Sequence, residues 1–189
     1  IFNKRNRINK NLPFFKYGWY FGFGYFLSSL YWISIALTFD EYFKYFIPFA
    51  IILVPSFLAI FYGLVTYFFS IFYSEKIISS FLVFTLLFGI TELIRGFIFT
   101  GFPWNLIAFS FSDNNNFIQI LSIIGTYSFN LICISFFTSP AVLILKQTRK
   151  ELLVCSFFVF IATSFLIFGK IKNNQFDELK YDKHKHTVR

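Results

Sequence analysis

Methionine is absent from the 189 residues, histidine and cysteine occur twice each, and charged residues make up only 14%. Two cysteines cannot build a disulfide framework, and two histidines in one short polar stretch, His184 and His186, offer no second ligand cluster for a metal. So little charge also falls well below the roughly one quarter found in ordinary soluble domains. Gly-rich phosphate loops, Ser-His-Asp constellations and metalloprotease motifs are missing as well. Because the numbered sequence opens at Ile1 and holds no methionine, it is expected to be a piece of a longer protein.

What fills the space is apolar: 57% hydrophobic residues, 25% aromatic, with 33 phenylalanines. Abundant Phe, Ile, Asn, Lys and Tyr beside scarce Ala fit a genome rich in A and T, so the Phe count carries no functional weight. The composition predicts an all-α integral membrane protein. A helix needs roughly 20 apolar residues to cross about 30 Å of hydrocarbon, and this reading predicts a bundle of about five transmembrane helices, near 17–37, 46–73, 77–99, 117–145 and 152–169. Pro48, Pro55 and Pro140 fall in the second and fourth, which predicts tilted or bent helices there. No small-residue cleavage pattern follows the first run, so it is expected to stay in the membrane. Residues 1–169 form the expected membrane domain and 170–189 an exported tail.

Lys and Arg are retained on the cytoplasmic side of short connections. Lys4, Arg5, Arg7, Lys10 and Lys16 precede the first run, and Lys146, Arg149 and Lys150 join the last two; the intervening "TFDEYFKY" and "TGFPWNLIAFSFSDNNN" hold only Lys44 between them. The amino end is therefore expected inside and the carboxyl end outside. The basic tail, with six Lys or Arg, opposes this unless it opens a large exported domain, since long translocated regions escape the rule. The net charge of +8 sits at membrane flanks instead of along a folded face, which points to anionic lipid and away from nucleic acid.

"TELIRGFIFTGFPWNLIAF", residues 91–109, raises the functional question. Glu92 and Arg95 are one helical turn apart and can pair; an unpaired charge at the bilayer centre costs about 2.5–3.5 kcal/mol or more. A structural ion pair and a role in holding substrate or a partner domain are both open. Pro103 forces Phe102 out of helical geometry and Gly101 tolerates unusual dihedrals, so Gly101-Phe102-Pro103-Trp104 should end the helix and turn the chain. Phe102 and Trp104 then belong to an interfacial aromatic belt or to a lipid-proximal site. Gly18 and Gly22 make a Gly-x-x-x-Gly face for close helix contact. Tyr127 and Asn130 are candidate interhelical hydrogen-bonding groups. Cys133 and Cys155 lie in apolar runs with no His, Lys or carboxylate beside them to generate a thiolate, and read as packing residues.

The run "TELIRGFIFTGFPWNLIAFSFSD" followed by "FIQILSIIGTYSFNLI" resembles the central membrane region of apolipoprotein N-acyltransferases. "YGWYFGFGYFLSSLYWISIAL" is similar to an upstream helix of that family, and "HTVR" to the opening of its exported nitrilase-like domain. The resemblance implies a membrane platform in the bacterial inner membrane. In the family, a cysteine of the nitrilase-like domain takes an acyl chain from a phospholipid and passes it to the α-amine of a diacylglyceryl-cysteine on a lipoprotein. The family's catalytic Glu, Lys and Cys belong to that domain and have no matching positions here, so the chain acting alone is expected to be silent, completed by an attached or separate nitrilase-like chain. Glu92, Arg95, Gly101, Phe102, Pro103 and Trp104 are the residues expected near lipid or the docked domain; no catalytic residue, metal or cofactor is expected. The rivals are a small transporter with Glu92 and Arg95 lining its path, and a non-catalytic assembly protein or decayed gene product.

Overall fold

A computed structural model describes residues 13–98, 101, 103–145 and 147–178. The basic leader before Pro13, Phe102, Lys146, and the tail from 179 with both histidines lie outside the described residues. Every regular element among them is helical: α1 (Phe14–Leu30), α2 (Ile33–Ala36), α3 (Ile47–Phe72), α4 (Ile77–Phe97), α5 (Asn115–Ile118), α6 (Leu121–Ile124), α7 (Thr126–Leu145) and α8 (Arg149–Glu178), with 3-10 turns at Phe43–Phe46 and Ile107–Phe111.

Among the described residues, four continuous apolar stretches, Phe43–Phe72, Ile77–Phe97, Thr126–Leu145 and Arg149–Phe176, are long enough to cross a membrane. The shorter α1, at 17 residues, completes an all-α membrane bundle. The second and third expected helices appear almost as read, but the others differ in extent. The first ends at Leu30, and Tyr31 and Trp32 turn the chain into the single turn of α2. The fourth is broken: Gly125 adopts φ 74°, a left-handed conformation that cannot continue a right-handed helix, so 117–124 forms separate turns ahead of α7. The fifth runs on to Glu178, because "KIKNNQFDE" contains no breaker and Asn173 exchanges hydrogen bonds with Gln119 and Asn116 at 2.9 and 2.7 Å. Residues 170–178, read from the sequence as the start of the exported tail, are thus helix.

Pro48 lies in the first turn of α3, where a missing N–H has no helical partner to lose. Pro55 and Pro140 sit inside α3 and α7 without ending them.

The bundle is built on the seam between α1 and α3. Gly18 and Gly22 are buried in it, and a Cβ on Gly22 would stand 2.9 Å from the Cβ of Tyr62 and 3.1 Å from the Cα of Ala59. Only a bare backbone permits that approach, as the Gly-x-x-x-Gly spacing predicts. The hydroxyl of Thr66 donates to the Phe14 carbonyl at 2.7 Å, pinning the start of α1. Phe26, Leu58, Tyr62, Phe88 and Ile134 then join α1, α3, α4 and α7 in one cluster. A second cluster, including Leu106, Phe117, Phe129 and Cys133, fills the space beneath the loop after α4. α8 is peripheral: 6% of its apolar window is buried, against 28–39% in the other three spans.

Candidate functional site: a loop clamped by three helices

One turn from the end of α4, Glu92 and Arg95 are 0% and 1% exposed. Nη2 of Arg95 donates to Oε2 of Glu92 at 2.7 Å and Nε donates to Oε1 at 3.2 Å. This two-point pairing matches the planar guanidinium to the carboxylate and is the strong form of the interaction. Burial without it would leave an uncompensated charge, which real sites avoid. The Phe26 ring covers the guanidinium carbon at 5.2 Å, a cation–π contact from α1. Tyr62 packs its ring against Phe26 with centroids 5.0 Å apart.

The pair reaches beyond its own helix, since Nη1 of Arg95 donates to the carbonyl of Trp104 at 2.9 Å. The sequence between them dictates the turn. Ile98 is extended, Gly101 has φ 83° and its N–H donates to the Ile98 carbonyl at 2.9 Å. A Cβ on Gly101 would come within 2.7 Å of the Gly96 carbonyl oxygen, so both conformation and space require glycine. Asn105 follows at φ 58°, a region costly for most side chains but tolerated by Asn.

Two contacts from α1 hold Asn105 there. The Tyr25 hydroxyl donates to its carbonyl at 2.9 Å, and its Nδ2 donates to the Ser29 Oγ at 2.6 Å. From α7, Oδ1 of Asn130 accepts the Ala108 N–H at 2.9 Å. Trp104 stacks on Trp32 with centroids 5.1 Å apart and planes 11° from parallel. Polar side chains of α4, α1 and α7 therefore fix one short loop at one end of the bundle. Beside it, Pro103, Trp104, Asn105, Phe109, Thr126 and Tyr127 border an open groove of about 600 Å³.

Of the residues singled out in the sequence, Glu92, Arg95, Gly101, Pro103 and Trp104 come together here, and Asn130 joins them as an interhelical anchor. Tyr127 instead packs its ring against Phe97, at 5.9 Å. Tyr25, Ser29 and Asn105 were missed. Tyr25 and Ser29 are one helical turn apart, so they share a face, and that spacing of polar groups in an apolar run was the available signal. Cys133 is 2% exposed inside the second cluster, and Cys155 donates its thiol to the Ser139 carbonyl at 3.0 Å. Both occupy packing positions.

The sequence profile of the apolipoprotein N-acyltransferase N-terminal domain matches residues 2–139. The chain belongs to the apolipoprotein N-acyltransferase family. It is 36% identical over 137 residues to the apolipoprotein N-acyltransferase of Brucella suis, which covers 72% of this chain and 26% of that protein. Against the apolipoprotein N-acyltransferase of Rickettsia typhi it is 37% identical over 158 residues, covering 83% of this chain and 32% of that protein. The Brucella melitensis protein of that name is 38% identical over 129 residues, 68% of this chain and 24% of its own length. The chain thus spans about a quarter to a third of the length of these N-acyltransferases, and the clamped loop falls within the matched N-terminal domain.

Proposed function

We propose that this chain is the membrane platform of a phospholipid-dependent apolipoprotein N-acyltransferase, and that the clamped loop with its groove is where lipid tails meet the exported catalytic domain. Acyl transfer between two membrane-anchored substrates needs a fixed surface at the water–lipid boundary, because a reacting group misplaced by about 1 Å can lose 10²-fold in rate. The observation that carries this reading is Arg95, which uses one guanidinium to bind Glu92 and the Trp104 carbonyl. A helix is thereby tied to the loop that borders the groove. Glu92, Arg95, Gly101, Pro103 and Trp104 act as positioning residues for lipid or the docked domain.

In this reading the donor is a phospholipid and the acceptor is the α-amine of a diacylglyceryl-cysteine on a lipoprotein. The location is the bacterial inner membrane, with the amino end cytoplasmic and the loop, Asn114 and carboxyl end outside, a reading supported by Lys and Arg before the first run and between the last two. In this reading the chain alone carries out no transfer, since Cys133 and Cys155 have no general base positioned beside them among the described residues. A nitrilase-like domain, attached or separate, supplies the nucleophile.

The test replaces the corresponding membrane segment of the Rickettsia typhi relative with residues 1–178 of this chain. N-acylation of a diacylglyceryl peptide is then followed with phospholipid as donor. The chimera should acylate the peptide and the isolated chain should not. A chimera that folds and reaches the membrane yet transfers nothing, beside an active parent, overturns the proposal.

A further inference from the structure

The connection from α1 to α3 leaves its aromatic side chains uncovered at the clamped-loop end of the bundle. Trp32, near its start, stacks on Trp104, which places the connection beside the loop. Where α1 ends, Leu30, Tyr31 and Ile33 share a small crevice with Ala50, Ile51 and Val54 of α3. The residues of α3 before Ala50, with the 3-10 turn at Phe43–Phe46, therefore project past the end of α1, by about 10 Å at the rise of a helix. The apolar stretch Phe43–Phe72 accordingly runs to 30 residues, against 17 in α1.

The projecting part is apolar. Phe39, Tyr42 and Tyr45 are 88%, 84% and 83% exposed, the highest values among the large apolar side chains of the described residues. Apolar surface concentrated in this way marks contact with something outside the chain. The face of α3 below it identifies the contact. Phe46, Phe49, Leu53 and Ile60 recur at helical spacing, so they lie on one face, and all four are exposed. On a helix long enough to span the membrane, such a face meets lipid, and the aromatic patch continues it beyond the end of α1.

Charge sets the depth. Asp40, Glu41 and Lys44 are exposed among the rings, and ionised groups are too costly for the hydrocarbon centre. Asp40 accepts the Tyr42 N–H at 2.9 Å, turning the chain between its acids and its rings. Tyrosine, an apolar ring with a polar tip, favours the head-group level. Two acids and one lysine give no positive excess to draw the segment to anionic lipid, so the rings must hold it.

We propose that residues 37–46 are an interfacial anchor lying in the lipid head-group layer at the clamped-loop end, held there by Phe39, Tyr42 and Tyr45. The anchor is independent of the acyl-transfer reading.

The experiment replaces Cys133 and Cys155 with Ala, introduces Tyr42→Cys, and labels that thiol with nitrobenzoxadiazole in the full chain. The chain is reconstituted in nanodiscs of phosphatidylcholine containing a minority of phosphatidylcholine with a nitroxide on its head group or deep in its tail. The head-group nitroxide should quench the label at least twofold more than the tail nitroxide. Adding Phe39→Ser and Tyr45→Ser should remove at least half of that quenching while the circular dichroism spectrum stays unchanged. A label that neither nitroxide quenches, and that dithionite reduces as fast as the free fluorophore, would put the segment in water, as a docking surface for protein would be, and overturn the anchor. Stronger quenching from the tail nitroxide would overturn the head-group depth, and quenching that survives both serines would overturn the role of the rings.

Discussion

The two ends of this bundle treat buried charge in opposite ways. At the loop end, Glu92 and Arg95 are buried together, and the guanidinium also reaches the Trp104 carbonyl. At the other end, Glu151 is buried with one oxygen unpartnered. A paired charge in apolar surroundings fixes local geometry, because each partner is costly without the other. An unpartnered one adds cost without fixing a geometry. The first arrangement suits a platform that must hold one shape. Neither matches a solute path, since Glu92 and Arg95 are committed to each other and to the loop.

The largest effect that could break this contrast comes from Arg95→Leu, which strands Glu92 in the core. It should cost about 3–5 kcal/mol, read as loss of monodisperse protein by fluorescence-detected size exclusion. Asn130→Leu is the next step down, because it orphans the Ala108 N–H. It should lower stability by about 1–3 kcal/mol, measured as a shift in thermal unfolding in detergent. Trp32→Ala removes the stack on Trp104 and should cost about 0.5–1.5 kcal/mol beyond the lost area, with the loop the first region to become protease-sensitive. Glu151→Gln should be smallest in lipid-free detergent, neutral or slightly stabilising, because it removes a buried charge whose Oε2 has no donor. A loss there as large as that from Arg95→Leu would erase the distinction between the two ends.

Much of this was legible in the sequence for definite physical reasons. Long apolar runs located the spans, and the one-turn spacing of Glu92 and Arg95 with the cost of an orphaned charge located the pair. Gly18 and Gly22 announced the close seam. The break at Gly125 was hidden because hydropathy does not register a left-handed glycine inside an apolar run. The end of α1 at Leu30 was hidden similarly, as Tyr31 to Leu37 stays apolar without Gly or Pro. The extension of α8 went the other way: Asn173 is polar, so it reads as tail until Gln119 and Asn116 are brought beside it. Tyr25 and Ser29 meet Asn105 across 80 and 76 positions, a distance local patterning does not span.

The account's central claim is that Arg95 ties α4 to the loop, and hydrogen exchange of amides 104–111 in nanodiscs tests it most directly. The parent, Arg95→Leu, and the double variant Glu92→Gln with Arg95→Leu should be compared at matched folded fraction. Removing both charges should restore much of the folded yield lost in the single variant, because no charge is then left unmatched. The loop amides should nevertheless exchange at least tenfold faster in both variants than in the parent, since the Trp104 carbonyl has lost its donor from α4. Loop protection equal to the parent in the folded double variant would contradict the claim and leave the ion pair as packing internal to one helix.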